Sequence, residues 1–359
     1  MKKIIVCMIL LALSVRAGAQ ETTPKDTVRS LDPGMDLYKV ALKQIDSVQY
    51  KEAIKTLTKA IKAKPPMADA YMAAAYNKMA SCKMQLKDYK GARKDLQQSV
   101  RLAPDNMESL KYLGKAFFYN QEYDSAKMYY DSAFKVAHDD PELLLYIAEL
   151  KVVGKDIKGA VATLGEAIFI KGNYAPALFR RGILKYQLKE YNYAIKDISD
   201  GLRVTQDTTF NLEVYSSRAK AYFEVGNYKG ALQDYDKILQ NEPKNEEALT
   251  SRGATKVYLN DNSGAVDDLT KAIEINKKSF AAYNFRGTAK SGLKQYVEAL
   301  KDFDMSIKLK FDYASAYVNR AAAKMASKDK KGACKDLEQA DQLGSEVAYK
   351  LIQQYCNGF

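Results

Sequence analysis

Residues 246–279 read EEALTSRGATKVYLNDNSGAVDDLTKAIEINKKS, and residues 280–313 read FAAYNFRGTAKSGLKQYVEALKDFDMSIKLKFDY. Laid one under the other, the two 34-residue strings place Gly253 over Gly287, Ala265 over Ala299 and Asp268 over Asp302. A period of this length marks a supersecondary unit copied along the chain. Working outward, the alanine that follows a short polar or glycine-containing turn recurs at Ala53, Ala92, Ala126, Ala160, Ala194, Ala231 and Ala333. The nine anchors are separated by 39, 34, 34, 34, 37, 34, 34 and 34 residues.

Fixed offsets from the anchor carry fixed residue types. Twelve residues before it stand Ala41, Ala80, Gly114, Ala148, Gly182, Ala219, Gly253, Gly287 and Ala321, always glycine or alanine. Sixteen before, every repeat has Leu or Tyr, from Leu37 to Tyr317. Four after come Leu57, Leu96, Tyr130, Leu164, Ile198, Tyr235, Leu269, Phe303 and Leu337. Seven after, the residue is small in every repeat except the sixth, which has Ile238. Offsets of three, four and seven share one face of a helix, so each repeat predicts two helices joined by a short turn and lying antiparallel. The small residues mark the close approach and the large ones fill the space around it. One such pair leaves an apolar face uncovered, and only stacked neighbours bury it.

This order of large and small residues resembles the tetratricopeptide repeat. The family's closing proline is present at Pro65, Pro104 and Pro243, while Leu or Tyr stands where its first-helix tryptophan is usual. The resemblance implies an all-α, right-handed superhelical solenoid of about nine helix pairs over residues 34–342. A capping helix is expected over 343–359, where Ala348, Leu351, Ile352 and Tyr355 follow helical spacing after the Leu343-Gly344 stop. The longer gaps place extra residues at 64–68 and near 206–210, both between repeats, where length changes are tolerated.

The N-terminus has its own logic. Lys2 and Lys3 precede the apolar run Ile4–Leu13, and Ala17-Gly18-Ala19 offers small residues for cleavage. This predicts a signal peptide over 1–19, a flexible leader over 20–33 and a periplasmic or secreted protein. Cys7 follows Val6 rather than a small residue, which argues against a lipid anchor. Removing Lys2, Lys3 and Arg16 lowers the formal charge from +12 to +9. Export argues against a nucleic-acid partner, and the residual charge favours peripheral contact with anionic envelope components.

Composition excludes several chemistries. One histidine, His138, supplies no multi-histidine metal site, and the four cysteines form no C-x-x-C pair. Neither a cofactor nor an enzymatic activity is expected. Cys334, at the start of the last repeat's second helix, and Cys356, at the end of the cap, meet if those helices run antiparallel, and an oxidising compartment permits a disulfide. Cys82 reads as a small core residue.

A second pattern is confined to repeats five to nine. Thirteen residues before the anchor these carry Arg181, Arg218, Arg252, Arg286 and Arg320, and three after it Asp197, Asp234, Asp268, Asp302 and Asp336. The first four repeats have Val40, Met79, Leu113 and Ile147 in the arginine's place. The arginines could line a groove for an anion. Their one-to-one match with aspartate instead favours structural ion pairs, within a repeat or between neighbours. The change sets a compositional boundary near residue 174, read as two dialects of one repeat.

The family resemblance also implies where a partner binds, since the first helices of such pairs line a concave surface. There lie Lys111, Lys115 and Phe118 in the third repeat, and Glu149 in the fourth. Phe179, Ile183 and Tyr186 follow in the fifth, Lys220 and Phe223 in the sixth, and Asn284 in the eighth. This floor suits a peptide with apolar anchors and some negative charge. Some family members clamp a terminal carboxylate with lysine and asparagine in three successive repeats. Lys111 and Lys115 begin that pattern, but Leu145 and Tyr146 stand where asparagine is expected. The expected function is a non-enzymatic protein-interaction scaffold or assembly factor of the envelope, binding a peptide or partner helix. The alternative is a carbohydrate or glycolipid binder using its tyrosines.

Overall fold

A computed structural model describes residues 32–205 and 211–356. The predicted signal peptide, nearly all of the leader, the insertion near 206–210 and the last three residues lie outside that range. Among the described residues there are nineteen α-helices and no strand.

The helices divide into two compact units, meeting in sequence at Pro104 and Asp105. The first holds α1 (Pro33–Asp46), α2 (Tyr50–Ile61), α3 (Asp69–Gln85) and α4 (Tyr89–Leu102). The second opens with α5 (Met107–Tyr119), α6 (Tyr123–Val136), α7 (Pro141–Val153), α8 (Ile157–Ile170), α9 (Ala175–Gln187) and α10 (Tyr191–Val204). It continues with α11 (Leu212–Glu224), α12 (Tyr228–Asn241), α13 (Glu246–Tyr258), α14 (Asn262–Ile275), α15 (Phe280–Gly292) and α16 (Tyr296–Leu309). The last repeat is α17 (Ala314–Ala326) and α18 (Lys330–Gln342), followed by α19 (Glu346–Tyr355). Odd-numbered helices up to α17 are thus the first helices of nine pairs and even-numbered ones the second. The compositional boundary near 174 falls inside the second unit, not at its edge.

Each pair closes as the spacing requires. All nine anchor alanines are fully buried. The glycines twelve residues earlier answer to the large residue four beyond the anchor. A Cβ on Gly114 would lie 2.6 Å from the Tyr130 ring, on Gly182 2.6 Å from Ile198, and on Gly287 2.8 Å from Phe303. Ala41, Ala80, Ala148, Ala219 and Ala321 take the same place beneath Leu57, Leu96, Leu164, Tyr235 and Leu337 and are equally buried.

The turn within each pair is the same nine times. Five residues before the anchor the backbone is left-handed: Val48, Lys87, Gln121, Lys155, Lys189, Gly226, Asn260, Lys294 and Lys328. The next residue's N–H then reaches back five residues, as from Asp88 to the Lys83 carbonyl and from Asp261 to that of Lys256, both 2.9 Å. That closes the first helix in the Schellman manner. The same residue opens the second helix. Asp88, Asp156, Asn227, Asp261 and Asp329 each accept from the N–H of a glycine three residues on. Glycine is needed because a Cβ on Gly159 or Gly264 would come within 1.9 or 2.3 Å of the capping carboxylate.

At the C-terminus Gly344 is left-handed (φ 84°), Ser345 caps α19, and Ala348, Leu351 and Ile352 pack on Ala321, Leu337 and Ala340. The end of α19 is tied to α18 by a Cys334–Cys356 disulfide with Cα atoms 5.8 Å apart. Cys82 is buried in α3, where burial pushes its thiol pKa up.

Candidate partner-binding groove

The five arginines and five aspartates meet within their own repeats. Nε and Nη2 of Arg181, Arg218, Arg252, Arg286 and Arg320 reach both oxygens of Asp197, Asp234, Asp268, Asp302 and Asp336 at 2.6–2.9 Å. This fork-to-carboxylate geometry gives strong, directional pairs. The remaining Nη1 reaches backwards, to the second helix of the preceding repeat. Arg218 donates to Ser199, Arg252 to Asp236, Arg286 to Thr270 and Arg320 to Asp304. The ladder therefore runs both within and between repeats.

A lysine one turn after the arginine was not singled out in the sequence, although its spacing is just as regular. Lys185, Lys256, Lys290 and Lys324 contact Asp197, Asp268, Asp302 and Asp336 at 2.7–2.9 Å. The sixth repeat has Tyr222 there, its ring under the Arg218 guanidinium. The consequence is electrostatic. Burial raises the Asp268 pKa, but hydrogen bonds from Arg252 and Lys256 outweigh it and hold the carboxyl below its usual range. Asp234 has the arginine alone, and burial wins, leaving its pKa raised. Asp95, paired with Lys83 at 2.6 Å, is raised because burial again outweighs the lysine.

The residues expected on the partner-binding face divide into three groups. Lys111, Phe179, Ile183 and Asn284 belong to the packing. Lys111 is buried and bonds Asp140 and Glu142 at 2.9 and 2.8 Å. Burial lowers its pKa, but those carboxylates overcome it and the net shift is upward. Phe179 covers Gly201, and Ile183 packs with Ile198 and Val214, so the fifth repeat spends both on core. Asn284 is buried and accepts from Asn319 at 3.0 Å. Helical periodicity placed these residues on one side of the helix but did not say which of them a neighbouring helix would cover.

Lys115 is half-buried and already engaged. Its ammonium donates to the Tyr146 hydroxyl at 2.6 Å and lies 4.5 Å from that ring's centre. Tyr146 in turn donates to Glu142. Burial and the nearby Lys111 charge hold the Lys115 pKa down. Phe118 stands edge-on to Tyr119 and Tyr123, and Glu149 is paired with Arg180 at 2.7 Å.

Tyr186, Lys220 and Phe223 do come together. They line a cavity of about 370 Å3 completed by Glu224, Tyr235, Glu246, Glu247, Ser251, Ala254 and Phe285. A second cavity of about 450 Å3, lined by Glu213, Ser216 and Ser217, shares Lys220, Tyr235, Glu247 and Ser251 with it. The two form one elongated groove across α9, α11, α13 and α15. Lys220 of α11 spans it to Glu247 of α13 at 2.6 Å. Glu246 is fixed by hydroxyls from Thr250 and Ser279 at 3.0 and 2.7 Å. The glutamates, all of them missed by the sequence reading, leave this groove with a surplus of negative charge.

Among the described residues no three His, Cys, Asp or Glu side chains could hold a metal ion, and no helix is long and apolar enough to cross a membrane.

Comparisons with known proteins agree with this architecture. The tetratricopeptide-repeat family model matches residues 73–106. Human DnaJ homolog subfamily C member 7 is 27% identical over 184 residues, 45% of this chain and 36% of that protein. Rat DnaJ homolog subfamily C member 3 is 23% identical over 155 residues, 41% of this chain and 31% of that protein. The chain thus spans about a third of the length of these relatives. Among solved structures, that of Pseudomonas aeruginosa pilF superposes with a TM-score of 0.54 at 17% identity, covering 61% of this chain and 99% of that one. The described helices thus form nine pairs on a single plan, one of which matches the tetratricopeptide-repeat family model, and the fold is an all-α array of such pairs.

Proposed function

We propose that this protein is a non-enzymatic interaction scaffold or assembly factor of the cell envelope that holds a peptide or partner helix across α9, α11, α13 and α15. One observation carries the reading. The groove is elongated, floored by Tyr186, Phe223, Ala254 and Phe285, and edged by polar groups from successive first helices. Apolar anchors within a polar rim suit recognition of a chain segment. Placement in the envelope, periplasmic or secreted, rests on the N-terminal sequence alone.

A photo-reactive residue at Tyr186 or Phe223, illuminated with envelope extract, tests the reading. Protein adducts at both sites, absent from a control at exposed Lys271 and insensitive to excess glycan, are expected. Adducts abolished by glycan would move the assignment to a carbohydrate binder, for which the clustered rings of Phe223, Tyr228 and Tyr258 would serve. Equal labelling at all three positions would remove the groove from consideration.

A further inference from the structure

We infer that the groove takes a cationic segment, one large apolar side chain flanked by lysine or arginine. This deepens the reading above and rests on it. The chain carries a formal charge of +12, yet its groove is the reverse. Glu224, Glu246 and Glu247 line the first cavity and Glu213 the second, against Lys220 as the one basic residue of either lining. Lys220 is itself neutralised by Glu247. Two hydroxyls fix the position of Glu246 on the wall. Glu213 and Glu224 are exposed at the rim, where Glu213 has Arg180 at 3.8 Å, a guanidinium already held by Glu149.

The apolar floor fixes the rest of the ligand. Phe223, Phe285, Tyr186 and Ala254 leave room for one bulky side chain. The glutamates come from both α11 and α13 around that room, so cations belong beside the anchor. A segment with an acidic flank, as the sequence suggested, would face like charge here, and complementarity of this kind decides which partner is admitted. A cationic segment would also release Lys220 from Glu247 or share that carboxylate with it.

The full chain and fluorescein-labelled peptides test this by anisotropy. GKKFKKG is expected to bind about tenfold tighter than either GEEFEEG or GKKAKKG, with affinity falling as salt rises. Glu224→Gln with Glu247→Gln should weaken GKKFKKG several-fold, whereas Lys220→Gln should strengthen it. Circular dichroism confirms that each variant is folded. Equal or tighter binding of GEEFEEG would overturn the cationic assignment and leave the groove's role standing. Binding of GKKFKKG untouched by these variants would place the contact elsewhere and overturn it as well. If no peptide binds, the inference fails, while crosslinking at Tyr186 and Phe223 decides the broader function separately.

Discussion

Asp268 and Asp234 occupy the same place in adjoining repeats, both buried, but they face different numbers of cations. Removing the Asp268 carboxylate takes from Lys256 its carboxylate partner and leaves Arg252 with the exposed Asp236 alone. Asp268→Ala should therefore cost about 3–5 kcal/mol in urea denaturation at neutral pH. Lys271→Ala, on an exposed face, should stay within about 0.5 kcal/mol. The pH dependence follows from the direction of each shift. The Asp268 pKa is lowered by folding, so its stabilisation is complete above the unfolded value of about 3.9 and is lost as pH falls through the folded value. The Asp234 pKa is raised, so ionising it opposes folding, and that cost vanishes as pH falls through its folded value. The penalty of Asp268→Ala should accordingly shrink on going from pH 7 to pH 3. Asp234→Ala should be the milder change at pH 7, with no such loss of effect on acidification. Equal penalties for Asp268→Ala and Lys271→Ala would remove the ladder as a source of stability.

Between residue and repeat, the intra-pair turn carries two separable costs. Seven of its nine left-handed positions hold neither glycine nor asparagine, and Val48 is the one β-branched residue among them. Such a side chain is strained there by roughly 1–2 kcal/mol, partly offset by the extra freedom glycine has when unfolded. Val48→Gly should thus raise stability by about 0.5–1 kcal/mol, since Val48 is exposed and loses little packing. An unchanged or lower denaturation midpoint would show that the turn is not strained. The start of the second helix gives a sharper test. The three atoms nearest a Cβ on Gly264 all belong to the Asp261 cap. Gly264→Ala should destabilise the native chain by about 1 kcal/mol through loss of that cap. In an Asp261→Ala background the same change should be neutral or stabilising, because alanine is the better helix former. Additive effects in this double-mutant cycle would mean that cap and glycine are independent.

Over the whole molecule, what the sequence disclosed and what it concealed separate by range. Helix pairs, anchors and the pairing of each arginine with its aspartate repeat at fixed offsets, so Ala265 and Asp268 announce themselves by recurrence. The groove's charge is less legible, because Glu213 and Glu247 share a register eighteen residues before their anchors whereas Glu224 and Glu246 fall at unrelated offsets. Nor does periodicity distinguish Ile183, covered by Val214 of the next repeat, from Tyr186, left open. The C-terminal cap was legible by both routes, from helical spacing and from cysteine placement, and it sets a test of how far disturbance travels. In a repeat array stability is a sum of local and nearest-neighbour contributions. The cap buries Ala348, Leu351 and Ile352 against the last pair, and the bridge closes a loop between residues 22 apart in sequence, worth about 3 kcal/mol. Unfolded, unreduced chain lacking residues 1–19 should therefore titrate one thiol, that of Cys82, whereas three would mean that no bridge forms. In Cys356→Ser, amide hydrogen exchange should quicken in α17, α18 and α19 and stay unchanged in α9 to α12, because the ladder there depends only on adjoining repeats. Acceleration spread evenly over residues 105–356 would mean instead that the second compact unit opens as a whole, and that its final helix governs the repeats that form the groove.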